Sequence, residues 1–369
     1  FKVTFKLSFD SANFSTATTF GDQNNTTDEC PPAEFKDWQS TVVPAYMLLI
    51  SVLGIGMNGF VLMVFCLHKK ACTVAEIYLS NLAAADFFLM VWLPLWAAYA
   101  INRYDWPFSH YLCSLFSLPI NMNAYCSIYF LVLISIDRYI ALVHPLSHKG
   151  ISRTKFAKLG CLLVWGFGLL LSIPTLIYRK VSYFPQYNRS LCFLNYSDIK
   201  EEFLFEGIQN TFGFIIPICI ISYCTLIIIH SLNNQLIERS NSQKTEQKAT
   251  TLVLVVLLAF VICWVPHHVV KILETLRRAD VLRRCSIIAN LQICRAISMY
   301  LAFFNSVLNP ILYVIVGKNF RGKVREKFWG VFVRKKWSES SYGIQSIGTT
   351  LEDPFFICLT LLKPHINFG

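Results

Sequence analysis

Two groups of side chains in this sequence can carry charge chemistry, and both lie in or beside long apolar runs. Asp86 stands inside Ile77–Ile101, where an ionised carboxylate is costly unless it is paired, hydrated or protonated. It is therefore a functional candidate, against the alternative of a purely structural hydrogen-bonding role. Asp137-Arg138-Tyr139 closes a second run, Cys113–Tyr139. An acid beside a base at the end of an apolar run reads either as a switch at a membrane boundary or as an interfacial anchor. Within that run Asn121, Asn123, Ser127 and Ser135 are too few for a soluble face. In lipid such groups must face neighbouring helices, which makes this segment the central one of a bundle. Other chemistries find little support. The 13 Cys show no metal-ligand spacing, and the 8 His sit mostly at helix ends, so a metal-dependent hydrolase is not indicated. With Asp86 the evident mid-span acid, the charge-lined spans of a transporter are missing too.

Composition supports a membrane setting. Of 369 residues, 54% are hydrophobic and 15% charged, where soluble domains carry about 25% charged. Mean hydropathy is +0.48. The net charge of +11 sits largely in loops between apolar runs, so it orients the chain in a membrane rather than marking a nucleic-acid partner.

Seven apolar spans follow in order: Pro44–Leu67, Ile77–Ile101, Cys113–Tyr139, Leu159–Ile177, Phe203–Ser231, Ala249–Leu276 and Ile288–Val316. The expected fold class is an all-α membrane protein, a seven-transmembrane helix bundle with a short amphipathic surface helix after it. Residues 1–43 read as an outside segment, 44–316 as the bundle, 317–333 as the surface helix and 334–369 as an inside tail. Sequons at Asn13, Asn24 and Asn25, and again at Asn188 and Asn195, place the N-terminus and the loop after span four outside. The basic loops His68–Lys70, His144–Lys158 and Leu232–Lys248 fall inside. Cys113 and Cys192 then share the oxidising side, where they can bridge, and Cys285 is the natural mate for Cys30. No signal peptide is recognisable at Phe1. Beyond span seven, Phe320, Val324, Phe328 and Phe332 recur at fours among basic residues, as on a helix lying along a membrane. Ser338–Thr350 is rich in hydroxyls and reads as a kinase target, whereas Phe355–Leu362 is too short to span.

Taken together, Asn58, Asp86, Asp137-Arg138-Tyr139, Trp165, Pro217, Cys263-Trp264-x-Pro266 and Asn309-Pro310-x-x-Tyr313 resemble the rhodopsin-like G-protein-coupled receptors. The likeness covers roughly residues 44–332. FCLHKKACTVAEIYLSNLAAAD (Phe65–Asp86), LVLVVLLAFVICWVP (Leu252–Pro266) and YVIVGKNFR (Tyr313–Arg321) look like the bradykinin (kinin) receptors. The resemblance implies a plasma-membrane receptor, not an enzyme, that passes extracellular peptide binding to heterotrimeric G proteins, phospholipase C and calcium. It also implies arrestin and receptor kinases at the tail. An angiotensin-like or chemokine-like peptide is the alternative ligand. Asp137, Arg138, Tyr139, Asn309, Pro310 and Tyr313 would form the G-protein switch. Asp86, Asn123, Ser127, Asn305, Ser306 and Asn309 would surround a hydrated Na⁺, or else a polar network holding water alone. No other cofactor is implied.

Departures narrow the carry-over. Thr225 stands where a tyrosine is common eight residues beyond Pro217, with Tyr223 two earlier, and the surface helix lacks the cysteines that kinin receptors acylate. Near the outer mouth the resemblance implies two acids for a peptide's N-terminal arginine. Glu274 fits the first, but Gln292 stands at the second. Lys271 and Arg295 add positive charge, so the expected pose sends the peptide's carboxylate inward toward one of them, with Trp96, Asn121 and Trp264 below. The alternative pairs Lys271 with Glu274 locally and leaves Arg295 at the lipid headgroups.

Overall fold

The computed structural model describes residues 39–67, 72–143, 153–185, 188–234, 241–278, 285–317 and 320–326. Its elements run α1 (Gln39–Leu67), α2 (Val74–Ile101), α3 (His110–Leu115), α4 (Leu118–Val143), α5 (Arg153–Tyr178), β1 (Arg179–Phe184), β2 (Arg189–Leu194), α6 (Ile199–Asn210), α7 (Ile216–Asn234), α8 (Asn241–Arg278) and α9 (Cys285–Ile315). Seven stretches are long and apolar enough to cross a membrane, the third made of α3 and α4 and the fifth of α6 to α7. The third is the most buried of the seven, at 67%, and α4 packs on α2, α5, α7 and α8. It is the central helix because its polar side chains find partners on those neighbours.

Local chemistry explains the breaks. Span three is not continuous: α3 stops at Leu115 and α4 restarts at Leu118. Pro119 lacks an amide hydrogen and sits in the first turn of α4, where that donor has no partner within the helix to lose. In span five a π-turn, Thr211–Ile215, separates α6 from α7. Pro217 removes a donor and crowds the carbonyl four residues back, and the wider turn absorbs both effects. At the start of α2, Thr73 and Glu76 form a reciprocal capping box.

Helix ends differ from the apolar limits. α5 begins at Arg153, inside the stretch expected to be loop, and α8 begins at Asn241, inside another. Hydropathy marks where lipid ends, whereas Lys, Arg and Gln continue a helix readily beyond it. Outside the spans the chain adds an antiparallel hairpin, β1 with β2, pairing Val181 with Cys192, where a loop was expected. Arg103 and Tyr104, just after α2, adopt left-handed backbone (φ 52° and 62°), which turns the chain back toward that hairpin. Trp106 N donates to Ser190 O at 2.8 Å. Burial pushes the Tyr104 phenol far above its usual range, so it stays neutral there.

Contacts divide the chain into two units, Phe1–Lys323 and Val324–Gly369. In the first, Phe320 is buried against Phe65 and Tyr313, and Lys323 pairs with Glu76 at 2.8 Å. Residues 320–326 are helical, as the surface-helix pattern predicts. Phe328, Phe332 and the tail from 334, with the N-terminal segment up to 38, lie outside the described residues.

Candidate ligand and switch sites

Between α4, α6, α8 and α9 lies a cavity of about 40 Å³. Of the six residues expected to touch ligand, Asn121, Trp264 and Lys271 line it, whereas Trp96, Glu274 and Arg295 do not. Trp96 is buried behind Phe116, their rings stacked at 3.9 Å, within an aromatic cluster that includes Tyr99 and Trp106. Asn121 donates its Nδ2 to Thr175 Oγ1 at 2.9 Å, which ties α4 to α5. Arg295 on α9 donates to Glu274 on α8 at 2.8 Å, so this acid and base neutralise one another across two helices. Lys271 reaches the other way, donating to Gln209 on α6 at 3.0 Å. The charges thus pair differently from both arrangements weighed on sequence.

Sequence reading passed over Gln209, His267 and His268, which also line the cavity. Gln209 obeys the rule that singled out Asn121, an amide inside an apolar span. The two histidines lie well inside α8 rather than at its end, because the helix continues through Pro266. Trp264 stacks on Phe260 at 5.7 Å and sits 6.1 Å from His268, whose ring in turn lies flat on Phe214 at 4.1 Å.

Deeper in the bundle, Asp86 is fully buried. Asn123 donates to its Oδ1 at 2.8 Å and Asn309 to its Oδ2 at 2.9 Å. Asn123 also reaches Ser127 at 3.4 Å, and Asn58 donates to the backbone oxygen of Ser306 at 2.9 Å. Among the described residues, the side-chain amide oxygens of Asn305 and Asn309 have no hydrogen-bond partner and are buried. A carboxylate with two such oxygens and the Ser127 and Ser306 hydroxyls is a donor set of hard oxygens, which fits a small monovalent cation. α2, α4 and α9 converge here because each carries polar side chains among apolar neighbours that must find partners.

At the inner end of α4, Asp137 is held by two arginines. Arg138 Nε donates to its Oδ2 at 3.1 Å, and Arg153 of α5 donates to its Oδ1. Asp137 and Arg138 are buried, whereas Arg153, which was not foreseen, is partly exposed. Tyr139 is half-buried beside Arg138. Trp165 of α5 donates to Asn81 of α2 at 3.0 Å. Pro310 and Tyr313 of α9 are buried, Tyr313 close to Phe320.

Beside the hairpin, Cys113 of α3 and Cys192 of β2 form a disulfide. Arg179, 3% exposed, lies over the Phe116 ring and donates toward Cys192 Sγ at 3.6 Å. Asn188 and Asn195 are exposed on the hairpin and just after it. Asn13, Asn24, Asn25 and Cys30 fall outside the described residues, as do the side chains of Cys285 and Gln292.

The profile of the 7 transmembrane receptor (rhodopsin family) matches residues 57–313. The human (Homo sapiens) B2 bradykinin receptor is 42% identical over 305 residues, 82% of this chain and 78% of that receptor. The rabbit (Oryctolagus cuniculus) B2 bradykinin receptor is 42% identical over 301 residues, 81% and 82% of the two chains. The human B1 bradykinin receptor is 36% identical over 308 residues, 83% and 87%. With seven spans, a buried Asp86 network and this likeness along most of its length, the chain belongs to the rhodopsin family of seven-transmembrane receptors, multi-pass proteins of the plasma membrane.

Proposed function

We propose that the chain is a receptor for a kinin-type peptide, with its N-terminus outside and heterotrimeric G proteins inside, signalling through phospholipase C and calcium. The observation that carries this reading is the 42% identity to B2 bradykinin receptors over most of the chain. The peptide enters between α4, α6, α8 and α9. Movement at Trp264 passes along α8, a bistable packing element, to the inner ends of the helices. There Asp137 holds Arg138 at rest, and release of the guanidinium, whose charge cannot be shed, offers it to the G protein. Na⁺ at Asp86 favours the resting packing, since it binds the closed oxygen set better than a rearranged one. Glycans sit on the outer sequons, and arrestin and receptor kinases act at the Ser/Thr-rich tail. The test is a panel of bradykinin, angiotensin-like and chemokine ligands on cells expressing the chain, read as cytoplasmic calcium. A rise with bradykinin is expected. A response confined to angiotensin-like or chemokine ligands overturns the kinin assignment.

A further inference from the structure

The π-turn before Pro217 leaves one backbone oxygen without a donor from its own helix. In an α-helix Phe212 O would accept from Ile216 N, but in the π-turn that amide donates to Thr211 O instead. The next amide along belongs to Pro217, which has no hydrogen to give. Both ladder donors for Phe212 O are therefore gone, within a span where lipid supplies no substitute. Tyr129 of α4 fills the gap, its hydroxyl donating to Phe212 O at 2.7 Å. The Tyr129 ring stands edge-on to Phe167 at 5.1 Å, and Phe167 stands edge-on to Phe212.

That hydrogen bond belongs to one register alone. In a continuous α-helix Ile216 N would return to Phe212 O, and Gly213 O, four residues before Pro217, would be the orphan. The Tyr129 hydroxyl thus favours the π-turn over its α-helical alternative. Tyr125, one turn back on α4, packs against Gly213, so α4 grips the turn at two points.

The register decides which side chains of α6 face α8. A π-turn holds one residue more than an α-turn, so the chain before it is rotated by about 100° relative to α7. In this register Gln209 lines the cavity and accepts from Lys271 at 3.0 Å, while Glu206 accepts from Thr275 at 2.6 Å. A Cβ on Gly207 would meet nothing within 4 Å, so that position faces open space. Loss of the π-turn would bring Gly207 and Asn210 round to the places that Glu206 and Gln209 now hold.

We infer that Tyr129 is a positioning residue for the ligand cavity: its hydroxyl holds α6 in the register that turns Gln209 into it. The consequence for ligand binding rests on the peptide-receptor reading, whereas the register itself does not.

The test uses the full receptor in nanodiscs, with matched surface expression as the folding control. One form carries Glu206→Cys with Thr275→Cys, another Gly207→Cys with Thr275→Cys, and a short bifunctional thiol reagent bridges each pair. Proteolysis and mass spectrometry then give the ratio of the first cross-link to the second. The first should dominate while Tyr129 is present, and the ratio should fall roughly 3-fold to 10-fold in Tyr129→Phe, the share of one hydrogen bond. Tyr129→Phe keeps the ring, so a residue that only stabilises the fold would lower thermal stability and leave the ratio where it was. That result overturns the inference. Where Glu206→Cys does not reach the surface, Gln209→Cys against Asn210→Cys, each with Lys271→Cys and a longer reagent, reads the same rotation. Bradykinin is then added to the Thr275→Cys forms of Tyr129→Phe. By binding the register that presents Gln209, it should restore the ratio toward the value seen with Tyr129. Bound bradykinin that leaves the ratio unchanged overturns the link to the cavity. If bradykinin does not bind even with Tyr129 in place, the kinin reading fails, and the ligand-free ratio alone decides the role of Tyr129.

Discussion

Arg295 of α9 donates to Glu274 of α8 at 2.8 Å, and both side chains are largely buried. This contact occupies the acid that sequence reading reserved for a peptide's N-terminal arginine. A basic ligand end must displace Arg295 before Glu274 can receive it. Replacing Arg295 by Ala should therefore strengthen the binding of a peptide with an N-terminal arginine and leave its des-arginine analogue unaffected. A double-mutant cycle with Glu274→Ala should show a coupling of about 0.5–3 kcal/mol in thermal stability. Additive losses would mean that the two groups do not act as a pair.

Asp137 divides its carboxylate between Arg138 and Arg153. Arg138→Ala should abolish G-protein activation while peptide binding and surface expression persist. Arg153→Ala should remove a competitor for that carboxylate, tighten its contact with Arg138 and lower basal output without abolishing the peptide response. Second-messenger assays at matched expression decide both. Normal output from Arg138→Ala, or a raised baseline in Arg153→Ala, would show that the cluster is an anchor rather than a switch.

For Asp86 the expected effect is on sodium. Asp86→Asn retains the shape of the network but removes its charge, so agonist affinity should no longer fall as Na⁺ replaces a large organic cation at constant ionic strength. An unchanged sodium dependence rejects the ion site in favour of a polar network holding water.

Gly213 lies in the π-turn, and a Cβ there would come within 2.6 Å of the Tyr125 ring. That ring is buried, so it has little room to yield. Gly213→Ala should cost about 1–3 kcal/mol by overpacking, measured as thermal stability of the purified receptor. Adding Tyr125→Leu should restore much of it. A neutral Gly213→Ala would mean that the π-turn can shift away from α4.

The Cys113–Cys192 bond ties α3 to the hairpin across 79 residues of sequence. Its removal by serine at both positions should cost about 2–5 kcal/mol and lower surface expression. Non-reducing proteolysis tests the second expected bridge, and free thiols at Cys30 and Cys285 would eliminate it.

The spans were legible in the sequence because lipid punishes every unsatisfied polar group, so a run of apolar residues of bilayer length admits few other readings. The same rule exposed Asp86, Asn121, Asn123 and Asn309, since a polar side chain in such a run must meet another helix. The interruptions beside Pro119 and Pro217 were not foreseen, since spans three and five read as continuous apolar runs. Which group meets which was not legible. Lys271 pairs with Gln209 rather than Glu274, and Glu274 with Arg295, although Lys271 and Glu274 lie three residues apart. Residues on one helix face are neighbours by spacing alone, but a flexible charged side chain takes the partner that the adjoining helix presents. That depends on how α6, α8 and α9 pack and rotate. Arg153 reached Asp137 for the same reason: α5 extends past its apolar part, and only the packing of α4 against α5 places its first residue beside that carboxylate.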